Sequence, residues 1–334
     1  MKGFIEESEK FHKNVLKLDC ETEIKQICDF IKEQTLILRR DGVVLGHSGG
    51  IDSALCAELC VRALGKNRVL GLILPEKESS PLSKEYAVKH CQKLAIETII
   101  QNITPTLEAF GTYRKRDEVI KTIFPEYNSN YKLKISLPPD LLSNDSMNFY
   151  RLTIQNDQGT QKTKRLNKDE LKNIFAAVNS KQRTRMINLY YYAEKMNYLV
   201  CGTTNRTEFI QGFFVKFGDG GVDIEPIAHL YKTQVVQLAK YMNVMEDIIH
   251  RIPTADTYSL DVSDQEIYFR VPYEKLDLLL YAWGKKIPIN EICEVMNLNE
   301  KQVKRALKDI ERKHNLTDHL RKSPPSLLNS NFQE

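Results

Sequence analysis

Long apolar runs are missing from this sequence. None approaches the roughly 20 residues that a membrane-spanning helix requires, so no membrane partner is expected. The N-terminus, Met1-Lys2-Gly3-Phe4-Ile5-Glu6-Glu7, lacks the apolar core of a secretory signal. The seven cysteines form no Cys-x-x-Cys pair or other metal-ligand spacing, and their odd number does not suggest a disulfide framework. They read as reduced core thiols, and the expected location is the cytoplasm. An excess of one charge is lacking too: 48 basic against 44 acidic residues leave +4, too even a balance to argue for nucleic acid. No internal repeat, no low-complexity tract and no Ser-His-Asp or Cys-His arrangement of a nucleophilic enzyme stands out. What remains is a 334-residue chain of soluble-enzyme composition, long enough for one large core or two modest ones.

The most informative residues are Gly46-His47-Ser48-Gly49-Gly50-Ile51-Asp52-Ser53. Before them Gly42-Val43-Val44-Leu45 is short, apolar and β-branched, which predicts a buried parallel strand. After them Ala54 to Leu64 predicts a helix closed by Gly65. The loop thus sits where a strand ends and a helix begins, and unpaired amides with the positive end of the helix dipole hold an anion there. Two glycines allow close backbone approach, and Ser48 and Ser53 add hydroxyl donors. Asp52 would repel a bare phosphate, so a carboxylate at this place points to Mg²⁺ bridging to the phosphates. The lysine of Gly-x-x-x-x-Gly-Lys-Ser/Thr loops is absent.

Residues 20–39 read as a helix, Val69–Leu74 as a second strand stopped by Pro75, Ser83–Leu94 as a helix and Ile96–Ile100 as a third strand. This rhythm predicts a Rossmann-like, doubly wound parallel sheet with helices on both faces, in an α/β core spanning 20–110 and 175–260. The rhythm breaks near residue 104. Residues 111–165 are polar and turn-rich, with Lys132–Leu137 and Phe149–Ile154 alternating as strands. They read as an insertion holding a small hairpin, removable without unfolding the sheet. Lys168–Met196 reads as a helix, Tyr198–Gly202 as a fourth strand, 229–243 as a helix, and 271–320 as a helical C-terminal region. Within it residues 289–310 have the look of a helix-turn-helix, for which a structural helical hairpin is the favoured reading.

Two further stretches carry chemistry. Gly202-Thr203-Thr204-Asn205-Arg206-Thr207-Glu208 sets small and polar groups just past a strand end, the edge where open α/β sheets bind ligands. Glu208 could reach a metal there, although alone it reads as a helix cap or a solvated residue. Gly212-Phe213-Phe214-Val215-Lys216-Phe217-Gly218-Asp219-Gly220-Gly221-Val222-Asp223 is glycine-rich and charged, shaped for close approach to a ligand.

Ser-Gly-Gly-x-Asp-Ser after a strand resembles the pyrophosphate-binding loop of ATP pyrophosphatases, which split ATP to AMP and pyrophosphate while adenylating an oxygen. Together with Thr203…Glu208, the Gly212–Asp223 loop, Leu230-x-Lys232-x-Gln234, Pro253-Thr254-Ala255-Asp256 and Asn179-Ser180-Lys181-Gln182-Arg183-Thr184-Arg185-Met186, it is similar in order and wording to the NAD⁺ synthetases. The resemblance covers about residues 20–110 and 175–312, and implies one synthetase-like domain over 1–334. It implies a ligase that adenylates the carboxylate of nicotinic acid adenine dinucleotide with ATP and amidates it with ammonia. By the same resemblance Gly46, His47, Ser48, Gly49, Gly50, Ile51, Asp52 and Ser53 hold ATP with Thr203, Lys232 and Thr254. Arg183, Lys216 and Asp223 hold the dinucleotide acid. Asp52 and Glu208 bind Mg²⁺, and Asp52, Lys216 and Lys232 serve the chemistry. It also implies a homodimer. The chain carries no nitrilase-like amidase domain, so nitrogen comes as free ammonia or from a separate glutaminase. The wording departs at His319-Leu320-Arg321-Lys322, where leucine replaces a lysine, and after Asp256. An amide ligase acting on another carboxylic acid is the alternative. A nucleic-acid binder is a second and weaker one.

Overall fold

The computed structural model describes residues 10–143, 149–254 and 257–326. The N-terminal residues examined for a signal, and Ala255-Asp256, lie outside these ranges. α1 (Cys20–Ile37) starts where the Asp19 side chain accepts the Thr22 amide, and it turns Ile24, Ile27 and Ile31 inward. β1 (Gly42–Gly46), α2 (Ile51–Leu64), β2 (Val69–Ile73), α3 (Pro81–Leu94) and β3 (Glu97–Ile100) follow. Two helices missing from the sequence reading, α4 (Thr104–Phe110) and α5 (Thr112–Ile123), come next. The insertion then supplies β4 (Lys132–Ser136), β5 (Arg151–Gln155) and β6 (Gln161–Arg165). α6 (Lys168–Met196) begins with an Asn167–Glu170 capping box and ends at Asn197 in the left-handed region, φ 54°. β7 (Tyr198–Cys201), α7 (Arg206–Gln211), α8 (Lys232–Tyr241) and α9 (Glu246–Ile249) complete the core. α10 (Tyr273–Gly284), α11 (Ile289–Met296), α12 (Glu300–Leu316) and α13 (Asp318–Arg321) end the chain.

The main sheet is parallel, in the order β3-β2-β1-β7. Val43 on β1 pairs with Val69 on one side and Leu199 on the other. Alternate side chains of a strand face opposite ways. Val43 and Leu45 enter the core shared with α1, α2 and α8, while Val44 packs with Leu189 and Ala193 of α6. Both faces are therefore covered, which is why β1 and β2 read as continuous apolar runs. The chain winds outward from β1 to β3, then returns to lay β7 on the other side of β1. That reversal opens a crevice outside the carboxyl ends of β1 and β7, the place where such sheets receive ligands.

The expected hairpin in 111–165 is β4–β5, and β6 extends it to a three-stranded antiparallel sheet. The segment is less detachable than its polarity suggested. α5 lies along α6, where Arg116 is buried and bonds Glu78 with both terminal nitrogens. Lys181 of α6 joins Glu76, Glu78 and the Thr257 carbonyl in the same buried network. At the C-terminus, α11 and α12 form the expected hairpin, packed on α10 through Ile292, Val303, Ala306 and Ile310. Arg305 and Lys313, basic groups that a groove-reading helix would turn outward, bond the carbonyls of Leu141, Leu142 and Tyr268.

Candidate active site

A cavity of about 560 Å³ occupies the crevice at the β1/β7 reversal, within the size range of small-molecule and cofactor sites. It is walled by the loops after β1, β2 and β7, by the inner face of α6, by the glycine-rich loop and by Thr317 and Leu320. Of the residues singled out from sequence, Gly46, His47, Ser48, Gly50, Ile51, Asp52, Ser53, Arg183, Thr203, Glu208, Lys216, Lys232 and Thr254 all line it. Gly49 and Asp223 do not.

The loop after β1 is tied to itself. The Ser48 amide donates to Ser53 Oγ, the Gly49 amide to His47 Nδ1 and the Gly50 amide to Ser48 Oγ, each at 3.2 Å. Ile51, Asp52 and Ser53 are the first residues of α2, whose amides have no preceding helical carbonyl and remain directed at an incoming anion. Gly49 serves by shape: at φ 76° its backbone lies against Ser83, whose carbonyl oxygen would stand 2.2 Å from any added Cβ. That packing is why it belongs to the wall's support and not to its surface.

Across the crevice, Lys232 is the first residue of α8 and is buried. Its Nζ bonds Asp52 Oδ2 and stands 3.9 Å from Glu208 Oε1. Asp52 Oδ1 accepts the Asn205 side-chain amide at 3.0 Å. Burial alone would lower the Lys232 pKa, but Asp52 and then Glu208 hold it protonated, above its usual value. Burial and the Asp52 charge push Glu208 well above the usual carboxylate range. Glu208 is both of the things its sequence allowed. Its Oε2 accepts the Asn205 amide in a capping box while its other oxygen faces the lysine.

The glycine-rich loop folds over the other end of the cavity. Lys216 Nζ donates to the carbonyls of His319 and Lys322 at 2.8 and 2.9 Å, fastening α13 across the opening. Arg183 reaches the Lys216 carbonyl at 3.4 Å. Leu320, at the departure from the family wording, lines the cavity between these groups. Asp223 is turned away because its carboxylate is already used: it accepts the Val200 amide at 2.7 Å and the Tyr190 hydroxyl at 3.0 Å, closing the end of β7.

Among the lining residues that received no role from sequence are Asp219, Asp264 and Arg251. Asp219 accepts the Val215 amide at 2.8 Å, and burial pushes its carboxyl up to about 6. Asp264 is buried, accepts the Tyr273 hydroxyl with one oxygen, and has no hydrogen-bond partner for the other among the described residues. Arg251 donates to Ser83 Oγ at 2.7 Å behind the loop after β1. Asp219 sat within a quoted motif, and its place between glycines was its only signal. Asp264 lies in the stretch after Asp256 that departs from the family pattern but keeps an acidic end, and Arg251 lies in no motif at all.

The donor set suits Mg²⁺. Asp52, Glu208 and Asp264 bring carboxylates around one ammonium, and hard oxygen ligands are what this ion takes, usually one or two carboxylates with substrate phosphates. Burial first, and the Asp52 and Asp264 charges after it, raise Glu208, and that added negative charge is what a divalent cation would neutralise. No group of three metal-ligating side chains able to hold an ion unaided occurs among the described residues.

Residues 23–137 and 115–324 match the family profile described as NAD synthase. The chain is 45% identical over 311 residues to the NH(3)-dependent NAD(+) synthetase of Mesorhizobium japonicum, covering 93% of this chain and 97% of that one. Among solved structures it is similar to the NMN synthetase of Francisella tularensis, with a TM-score of 0.65 and 25% identity, over 95% of this chain and 100% of the other. It is also similar to the NH3-dependent NAD synthetase of Campylobacter jejuni, with a TM-score of 0.61 and 25% identity, over 93% and 99%.

Proposed function

The chain belongs to the NAD synthase family and performs ammonia-dependent NAD⁺ synthesis, and we propose that it does so by adenylating nicotinic acid adenine dinucleotide in the cavity above β1 and β7. The observation that supports this reading is convergence. A phosphate-holding helix start, the Asp52–Lys232–Glu208 cluster and a cationic glycine-rich loop share one cavity.

A carboxylate resists ammonia because oxide is a poor leaving group. Its oxygen therefore attacks the α-phosphorus of ATP, the bond to the β-phosphate oxygen breaks, and pyrophosphate departs. Ammonia next attacks the acyl carbon, gives up a proton, and AMP leaves with the electron pair of the broken C–O bond. In our assignment the amides of Ile51 to Ser53, the Ser48 and Ser53 hydroxyls, Thr203 and Thr254 position ATP, and Lys232 adds positive charge beside it. Asp52 and Glu208 would hold Mg²⁺, which when bound would supply neutralisation of the pyrophosphate charge. Arg183 and Lys216 hold the anionic dinucleotide, for which Lys216 must exchange the carbonyls of His319 and Lys322 for substrate. Asp223 lies outside the cavity with its carboxylate on the Val200 amide and the Tyr190 hydroxyl, and we assign it no contact with the acid.

A homodimer is part of this proposal, supported by Ile187 and Tyr191, which stand exposed one turn apart on α6. So are a cytoplasmic setting, supported by seven free thiols, and free ammonia or a separate glutaminase as nitrogen source. The test is incubation with ATP, Mg²⁺, ammonium and nicotinic acid adenine dinucleotide, with nicotinic acid mononucleotide as a parallel arm. AMP and NAD⁺ should appear in equal amounts in the first arm. AMP formed only with the mononucleotide or another acid would overturn the substrate while leaving the amide-ligase chemistry in place.

A further inference from the structure

Behind the phosphate loop two histidines stand in line, one of them away from the cavity. His47 joins β1 to the loop and His90 lies on α3, and both are buried. His47 Nε2 and His90 Nδ1 are 2.9 Å apart. His90 Nε2 lies 3.3 Å from Glu58 Oε1 on α2, a charge contact outside hydrogen-bond geometry, and Glu58 in turn takes Lys93 Nζ at 3.1 Å. At the loop end, the Gly49 amide is 3.2 Å and Ser53 Oγ 3.4 Å from His47 Nδ1.

The two ends of this chain fix its protons. A main-chain amide can only donate, so His47 Nδ1 is the bare nitrogen and Nε2 carries hydrogen. That hydrogen points to His90 Nδ1, which leaves the His90 proton on Nε2, facing an acceptor-only carboxylate. Reversing either ring sets one donor against another at Gly49 or points a bare nitrogen at the Glu58 carboxylate. Burial and then His90 push His47 down to about 3, so the ring stays neutral near pH 7 and the order is kept.

We propose that His90, backed by Glu58, is a positioning residue for the phosphate loop: it selects the His47 tautomer that accepts the Gly49 amide and so sets the turn that presents the α2 amides to the ATP phosphates. Gly49 has little freedom of its own, with its backbone against Ser83. Its carbonyl accepts from Arg251 at 3.4 Å, and its amide is the link that the His47 tautomer controls. This inference rests on the reading that the loop takes ATP, and it locates the effect on ATP and not on the acid, whose groups lie at the opposite end of the cavity.

The test pairs His90→Leu, which removes the acceptor, with His90→Asn, whose amide oxygen can stand where Nδ1 stood. In His90→Leu the KM for ATP should rise about tenfold, the order expected when a buried donor loses its acceptor, while the KM for the acid stays near wild type. His90→Asn should restore most of that loss. Independently, long-range ¹H–¹⁵N spectra of the nucleotide-free wild-type protein should show His47 bare at Nδ1 and protonated at Nε2. A proton on His47 Nδ1, or equal rises in both KM values, would overturn the inference. The wild-type spectrum decides it even if His90→Leu does not fold. Wild-type protein that bound no ATP would instead sink the reading of the loop, with the tautomer still legible.

Discussion

Asp52 carries two duties that its substitution by asparagine separates. The amide keeps the shape and can still meet Asn205, but it lacks the charge that holds Lys232 and, in our assignment, Mg²⁺. Exchange of labelled pyrophosphate into ATP should therefore vanish in Asp52→Asn, and exchange near the wild-type rate would refute the metal assignment. The change also costs stability, because the buried Lys232 loses its hydrogen-bonded carboxylate and keeps Glu208 at 3.9 Å and the Asp264 charge beyond it. A cost on the order of 2 kcal/mol is expected in denaturant titrations, somewhat below that of a fully orphaned buried charge. Lys216→Ala tests the other end of the cavity. Losing a charge-assisted contact to an anionic substrate should cost on the order of 2 kcal/mol, tens of fold in kcat/KM for nicotinic acid adenine dinucleotide. The KM for ATP should move much less, and an equal shift in both would place Lys216 in a structural role as the fastener of α13.

Elements differ in how openly their residues declare them. The strand–loop–helix unit at 42–64 was legible because apolar runs, glycines and small polar groups all change at the same points, and only the start of α2 was misplaced, at Ala54 instead of Ile51. α5 was not legible. Its buried positions Tyr113, Arg116, Ile120 and Ile123 do keep helical spacing, but one is an arginine, so a period counted in apolar residues skips a turn. β6 hid for the opposite reason: every residue from Gln161 to Arg165 is exposed, and a polar edge strand has no hydrophobic face to read. Beside its apolar positions, what binds α5 to the core is the Glu78 carboxylate. Burial pushes it up, but the Arg116 guanidinium and Lys181 hold it down at about 2. A carboxyl depressed from 4.5 contributes stability that is present above the unfolded value and is lost as pH falls through about 2. Glu78→Gln should therefore lose on the order of 3 kcal/mol at pH 7, and the gap from wild type should close in strong acid. A gap that stayed constant with pH would mean packing, not charge, joins the insertion to the sheet.

At the scale of the whole molecule, burial loads the native state with acids that resist ionisation, and this gives its stability a slope opposite to that of Glu78. Glu225, just past the glycine-rich loop, is the clearest case. Burial pushes its carboxyl up to about 8, against the hydrogen bond it accepts from the Thr204 amide at 3.2 Å. Its oxygen would stand 2.4 Å from a Cβ at Gly202, so the carboxyl is wedged beneath the strand end that supplies Thr203. With an ordinary value of 4.5 in the unfolded chain, the native state binds the extra proton between the two values. Stability from this group is full below 4.5 and is lost as pH rises through about 8. Asp219 and Asp277, each raised to about 6 by burial, add losses of the same sign over a lower window. Denaturant titrations at pH 5, 6.5 and 8 should show wild type weakening across the series. Glu225→Gln keeps a group able to accept the Thr204 amide but has no proton to lose. It should weaken less over the same steps and be the more stable protein at pH 8. Equal slopes for the two proteins would show that Glu225 ionises in the native state as readily as in the unfolded one, through access to solvent that its packing against Gly202 argues against.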